Sequence, residues 1–429
     1  GVSTASYQYE GAVNKSNRGA NIWDTFIQES CRIADGSNAD EADDSYHLFD
    51  TDAAIASSMG LGYYRISIAW TRIMHDGEGK VNPEGIEHYH KVIDSLLANG
   101  LVPVLCLYHW DEPQYLYDKY GGWMSSDMPD LFTAYADVVF EAYASKVKIW
   151  ATFNEPLTFI NDGYGTGGKA PGIKDPFMKY TAGHNVLLSH AKAAELFNTK
   201  YKPLHGGNIG IVLNADWSEP LTDLEQDIQA AELFMEGHLG WFADPAYKGD
   251  YPTSMRQSIP PDVLPSFTSE ESAMLLRNKP EWFGLNHYSS FYVAAPLLPF
   301  QKVGGLEMES SLDQCVNCGG RHEASTFACE ELHVAPWGFY NLLHWAHKRY
   351  DMPIWVTENG TDAPGQRGSS SSLPIALLPL IPLPPGEADI PLPRKLRDGF
   401  RVNYYRGYIS AINQACADGV DIIGYLAWR

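Results

Sequence analysis

Leu101-Val102-Pro103-Val104-Leu105-Cys106-Leu107 is apolar at every position and runs straight into Tyr108-His109-Trp110-Asp111. A strand with one wet face alternates apolar and polar side chains. An unbroken apolar run of this length instead reads as buried on both faces, as the strands of parallel sheets are. Cys106 within it reads as a small buried hydrophobe. Runs of the same kind recur at 62–68, 147–153, 208–213, 282–286, 353–357 and 420–427, and residues 1–5 read as the end of one more. Amphipathic helical stretches lie between them at 83–99, 175–199, 336–350 and 398–417. The first has Pro83 in its opening turn and stops before Gly100; the second sets Tyr180, His184, Leu187 and Ala191 on one face. Strands alternating with helices about eight times predict an α/β fold, a single (β/α)8 TIM barrel over residues 1–429, in preference to a doubly wound open sheet.

Residues 366–386 depart from this pattern. A serine run at 369–372 leads into a Leu/Pro-rich tract at 373–385, where proline is too dense for a helix or a central strand. The tract reads as an inserted loop after the seventh strand.

The 429 residues carry 31 Lys and Arg against 53 Asp and Glu, a net charge of −22. That balance excludes a nucleic-acid groove, which needs clustered positive charge, and a basic membrane-surface stripe. No apolar run approaches the ~18 residues of a transmembrane segment. Aromatic residues reach 13%, with 25 Tyr and 12 Trp; they serve a large core, and they also suit the apolar C–H faces of sugar rings. Six cysteines in so long a chain do not make a disulfide scaffold.

In a parallel barrel, catalytic groups stand at the C-terminal ends of the strands. The polar residues gather there. Gln8 follows the first strand and Arg65 lies in the second. His109, Trp110 and Asp111 follow the third, and Asn154 and Glu155 close the fourth. Asn286, His287 and Tyr288 close the sixth, Glu358 and Asn359 the seventh, and Trp428 the eighth. Glu155 and Glu358 stand out, because strands four and seven face each other across the barrel mouth. Two facing carboxylates, one protonated and one ionised, are what glycosidic cleavage requires, roughly 5–5.5 Å apart for double displacement. The residues alone do not say which is which.

Six motifs in order carry a resemblance: Ser6-Tyr7-Gln8-Tyr9-Glu10-Gly11, Tyr64-Arg65-Ile66-Ser67-Ile68-Ala69-Trp70, Tyr108-His109-Trp110-Asp111, Thr152-Phe153-Asn154-Glu155-Pro156, Leu285-Asn286-His287-Tyr288 and Val356-Thr357-Glu358-Asn359-Gly360. The chain resembles glycoside hydrolase family 1, the retaining β-glucosidase and β-galactosidase type. The resemblance implies that Glu155 is the general acid/base and Glu358 the nucleophile. It implies that Gln8, His109, Trp110, Asn154, Asn286, Tyr288 and Trp428 bind the sugar, and that Arg65 and Tyr288 support the nucleophile. A nearby cation is expected to favour its ionised form. The substrate implied is a β-glucoside or oligosaccharide, with no cofactor and no metal.

The sequence departs from the family pattern after Trp428, where the family continues into a loop reading further sugar hydroxyls and a final helix. The expectations that follow are a missing segment after strand eight, a weak seam between the first and eighth strands, and reduced turnover. They keep a second reading open, a non-catalytic sugar- or protein-binding barrel. Cys315, Cys318, His322, Cys329 and His333 have zinc-like spacing, read here as a loop with free thiols or one disulfide. Asn14-Lys15-Ser16 and Asn359-Gly360-Thr361 match the glycosylation triplet, the second expected to be buried.

Overall fold

β1 (Val2–Ser3), β2 (Tyr63–Ser67), β3 (Val102–Tyr108), β4 (Ile149–Asn154), β5 (Asn208–Asn214), β6 (Phe283–Asn286), β7 (Ile354–Glu358) and β8 (Ile422–Tyr425) are hydrogen-bonded in that order in one sheet. Every neighbouring pair is parallel. The computed structural model describes residues 1–29, 32–33, 37–295, 333–361 and 398–428, with the backbone of Thr326–Phe327. The seam expected to be weak is bonded. The Gly1 amine donates to the Tyr425 carbonyl at 2.9 Å, the Ser3 N–H to Ala427 at 3.0 Å, and the Ala427 N–H to Gly1 at 3.0 Å. Parallel bridging of Val2 with Ala427 completes the (β/α)8 barrel.

The helices predicted from periodicity fall where expected, as Pro83–Ala98, Met178–Leu196, Pro336–Tyr350 and Gly399–Ala417. Asn82 caps the first by accepting from the Glu84 N–H, and Pro83 fills the turn where no N–H is needed. Tyr180, His184, Leu187 and Ala191 are all buried on one face of the second. The His184 ring bonds the Tyr251 hydroxyl at 3.0 Å, which makes this histidine a satisfied packing residue.

Strand side chains alternate between two apolar compartments. Tyr64, Ile66, Leu105, Leu107 and Trp150 join the large core between sheet and helices. Val104, Cys106, Ala151, Val212, Trp282, Trp355 and Leu426 form a separate plug inside the barrel. Cys106 is fully buried there, as predicted. The same alternation turns Arg65 and Ser67 of β2 inward, above that plug. Strand register slips between Ala151 and Asn154 on β4, and between Val356 and Glu358 on β7. Both irregularities fall just where the two glutamate-bearing strands reach the mouth, and such irregularities re-aim side chains.

The tract at 366–386, Cys315, Cys318, His322 and Cys329, and the His333 side chain lie outside the described residues. Among the described residues no group of three or more His, Cys, Asp or Glu is placed to hold a metal, and no helix is long and apolar enough to cross a membrane.

Candidate active site

Arg65, Glu155 and Glu358 are all buried at the mouth. Arg65 Nη1 donates to Glu358 Oε1 at 2.6 Å and to Ser3 Oγ at 2.9 Å, while Nη2 donates to Asn154 Oδ1 at 2.6 Å. The Tyr288 hydroxyl donates to the other Glu358 oxygen at 2.8 Å. Asn286 Nδ2 donates to Glu155 Oε1 at 2.7 Å and to Asn154 Oδ1 at 3.1 Å. The Thr158 hydroxyl donates to Glu155 Oε2 at 3.1 Å. Thr357 Oγ1 donates to Asn286 Oδ1 at 2.7 Å, which fixes the Asn286 amide with its NH₂ toward Glu155. Residues from β1, β2, β4, β6 and β7 thus meet in one continuous network.

Arginine has donors only, so Asn154 must present its carbonyl oxygen to Arg65 and its NH₂ elsewhere. That NH₂ faces His109 Nε2 at 3.2 Å. Nε2 therefore accepts and Nδ1 carries the proton. Burial, helped by the Arg65 charge, holds the His109 imidazole far below its usual pKa, so the ring is neutral. Its Nδ1 is a buried polar atom with no partner among the described residues. An unsatisfied donor of this kind costs free energy unless a ligand or water takes it.

Burial pushes the Glu155 carboxyl up to about 7, and the negative charge of Glu358 raises it further within that shift. Asn286, Lys169 and Thr158 pull in the other direction. Glu358 is also raised by burial, while Arg65 and Tyr288 oppose the rise. The cation acts in the expected direction, towards the ionised form, and desolvation outweighs it.

The rim is built on strained backbone. Glu155 and Trp110 adopt φ of 52° and 72°, the left-handed region that non-glycine residues avoid. The Trp110 indole donates to the Asn154 carbonyl at 2.9 Å, and the Trp23 indole to the Trp110 carbonyl at 3.0 Å. His109 stacks on Trp428, with ring centroids 5.7 Å apart and planes 11° from parallel. The Trp428 N–H donates to the Asn359 carbonyl at 2.9 Å. A Cβ at Gly360 would collide with the Trp428 carbonyl, so glycine is what lets these segments meet. Gln8 is exposed, on the short helix Ser6–Tyr9. With Trp23, His109 and Trp110 it lines a cavity of about 370 Å³ at the mouth.

A sequence profile of glycosyl hydrolase family 1 matches residues 1–372. The chain belongs to glycosyl hydrolase family 1. It is 38% identical to "Beta-glucosidase 4" of Oryza sativa subsp. japonica, over 100% of this chain and 84% of that protein. Among solved structures, a rice β-glucosidase mutant in a covalent complex with Glc superposes with a TM-score of 0.89 at 36% identity, covering 100% of this chain and 88% of that one. The β-glucosidase of Trichoderma harzianum gives 0.88 at 38% identity, covering 100% and 87%. The chain is an O-glycosyl hydrolase of the family's β-glucosidase type.

In family 1 terms, the network unites Arg65, Asn154, Glu155, Asn286, Tyr288 and Glu358. His109, Trp110 and Trp428 flank it, and Gln8 stands apart at the mouth. Sequence reasoning missed Ser3, Thr158, Thr357 and Lys169. Thr357 and Thr158 had a usable signal, lying one residue before Glu358 and three after Glu155. Ser3 and Lys169 had none. Asn359 is fully buried and bonds the His287 carbonyl and the Tyr404 hydroxyl, both at 2.8 Å, so its triplet is closed to modification in the folded chain.

Proposed function

We propose that this family 1 enzyme hydrolyses terminal β-D-glucosyl residues by double displacement, with Glu358 as nucleophile and Glu155 as acid and then base. The observation that carries the assignment is the unlike character of their donors. Glu358 takes a hydrogen bond from a guanidinium, which favours a carboxylate, whereas Glu155 takes hydrogen bonds only from the neutral Asn286 and Thr158.

In the first step a Glu358 oxygen bonds to the anomeric carbon. The glycosidic C–O bond breaks, and Glu155 gives its proton to the departing oxygen. The Glu358 negative charge is then consumed in an ester. That removes one of the influences that hold Glu155 protonated, so its pKa falls. Glu155 next takes a proton from water, the water oxygen attacks the anomeric carbon, and Glu358 leaves as carboxylate. Asn154, Asn286, Tyr288 and the His109 Nδ1–H are the donors and acceptors offered to the sugar hydroxyls, with Trp110 and Trp428 as apolar faces and Gln8 at the entrance.

The test is release of nitrophenol from a nitrophenyl β-glucoside, with the anomer of the first product followed by NMR. The expected result is turnover with retention, and a kcat/KM that falls on the alkaline side at about pH 7 as Glu155 ionises. Sugar binding by calorimetry without turnover would overturn the proposal in favour of a binding barrel.

A further inference from the structure

Trp110 and Glu155, the two rim residues with left-handed backbone, stand where the chain leaves β3 and β4. Just past Trp110 come two buried acids, Asp111 and Glu112. Asp111 turns back. It accepts from the His109 N–H at 3.3 Å and from the Ser6 hydroxyl at 2.8 Å. Glu112 turns the other way, toward the chain that follows β4. The Tyr164 hydroxyl donates to Glu112 Oε2 at 2.9 Å and accepts from the Trp123 N–H at 3.0 Å. Tyr164 lies in the turn Asn161–Gly165, which continues the short helix Pro156–Ile160. That helix starts directly after Glu155 and carries Thr158, whose hydroxyl bonds Glu155 Oε2. Nearer the site, the same two exits are joined by the Trp110 indole and the Asn154 carbonyl.

We propose that Glu112 is a positioning residue for Glu155: by holding Tyr164, it fixes the far end of the segment that bears Glu155 and Thr158 against the exit that bears Trp110. The inference rests on the reading of Glu155 as acid/base. Glu112 does this as a neutral acid. Its Oε1 is buried without a partner and packs on Gly122, where a Cβ would stand 2.5 Å away. No Lys, Arg or His side chain bonds it among the described residues. The titratable groups facing it are the phenols of Tyr108, Tyr117 and Tyr164. Burial pushes its pKa up to about 8, against the Tyr164 hydrogen bond. Glutamine is then its isostere, since the amide offers the same carbonyl oxygen to Tyr164.

The test compares kcat/KM on two substrates. Methyl β-glucoside needs a proton from Glu155 in the first step; dinitrophenyl β-glucoside does not. In Tyr164→Phe and in Glu112→Ala, kcat/KM on the methyl glucoside falls about tenfold further than on the dinitrophenyl glucoside. Glu112→Gln at pH 6 restores the wild-type ratio of the two. Circular dichroism and the melting temperature confirm the fold of each variant. If Glu112→Ala does not fold, the Tyr164→Phe and Glu112→Gln results decide. Equal losses on both substrates, unchanged kinetics with only a lower Tm, or a Glu112→Gln variant that resembles Tyr164→Phe overturn the inference and leave Glu155 as acid/base. A wild-type enzyme that turns over neither glucoside overturns the underlying reading instead.

Discussion

The ends of β4 and β7 are built alike and equipped differently. Each strand loses register just before the mouth, each presents a buried glutamate, and each glutamate accepts two side-chain hydrogen bonds. At β7 the donors are a guanidinium and a phenol. At β4 they are an amide and an alcohol. The barrel supplies position equally to both; the charge of one neighbour separates their chemistry. Desolvation acts on both carboxylates in the same sense, and among these four hydrogen-bond donors Arg65 is the one that carries a charge.

Removing a carboxylate breaks the comparison most severely. Glu358→Gln leaves no atom able to form the glycosyl ester, and turnover of any β-glucoside falls by about 10⁴-fold or more in steady-state assays. Glu155→Gln is expected to depend on the leaving group. Hydrolysis of an alkyl glucoside falls by about 10²–10⁴-fold, while the first step with an activated dinitrophenyl glucoside is largely retained, as a pre-steady-state burst reads out.

Arg65→Met makes the two ends alike. It leaves Glu358 buried without its cation, costing about 3–5 kcal/mol in denaturant unfolding. It also raises the Glu358 pKa, so the acid limb of kcat/KM moves to higher pH.

A smaller effect concerns stability. The Glu155 pKa is raised in the folded chain, so between its ordinary value and about 7 the unfolded chain releases a proton that the folded chain keeps. Stability therefore declines as pH rises through that window. Glu155→Gln should stabilise the fold by up to about 3 kcal/mol at pH near 8 and by nothing at pH near 4, measured as the difference in Tm. Thr158→Ala, which removes one neutral donor from Glu155, shifts the alkaline limb up by a few tenths of a unit at most.

The barrel was legible because its strands are buried on both faces. Apolar runs without alternation marked β2 to β8, residues 1–5 read only as the end of one more strand, and proline and glycine punctuated Pro83–Ala98. The carboxylate pair was legible because both glutamates end such runs. What the sequence could not carry was the wiring. The Arg65 bond to Ser3 joins residues 62 apart, and Asn286 meets Glu155 across 131. No local period encodes such meetings. The orientation of the Asn154 amide follows only from knowing that Arg65 faces it. Lys169 lies in an irregular loop whose course is set by two backbone hydrogen bonds, so no spacing rule would have selected it. The seam between the first and eighth strands was expected to be weak because the sequence departs from the family pattern after Trp428, yet closure needs only backbone groups, which any sequence supplies.

The absent side chain at Gly360 has a consequence for the aromatic floor of the pocket. Trp428 is gauged against the residues just past Glu358, by the Asn359 carbonyl and the bare Gly360 carbon, as well as by the course of β8. The position of the indole is therefore tied to that of the β7 carboxylate, and a methyl group added at that carbon would mistune their alignment by displacing the Trp428 backbone.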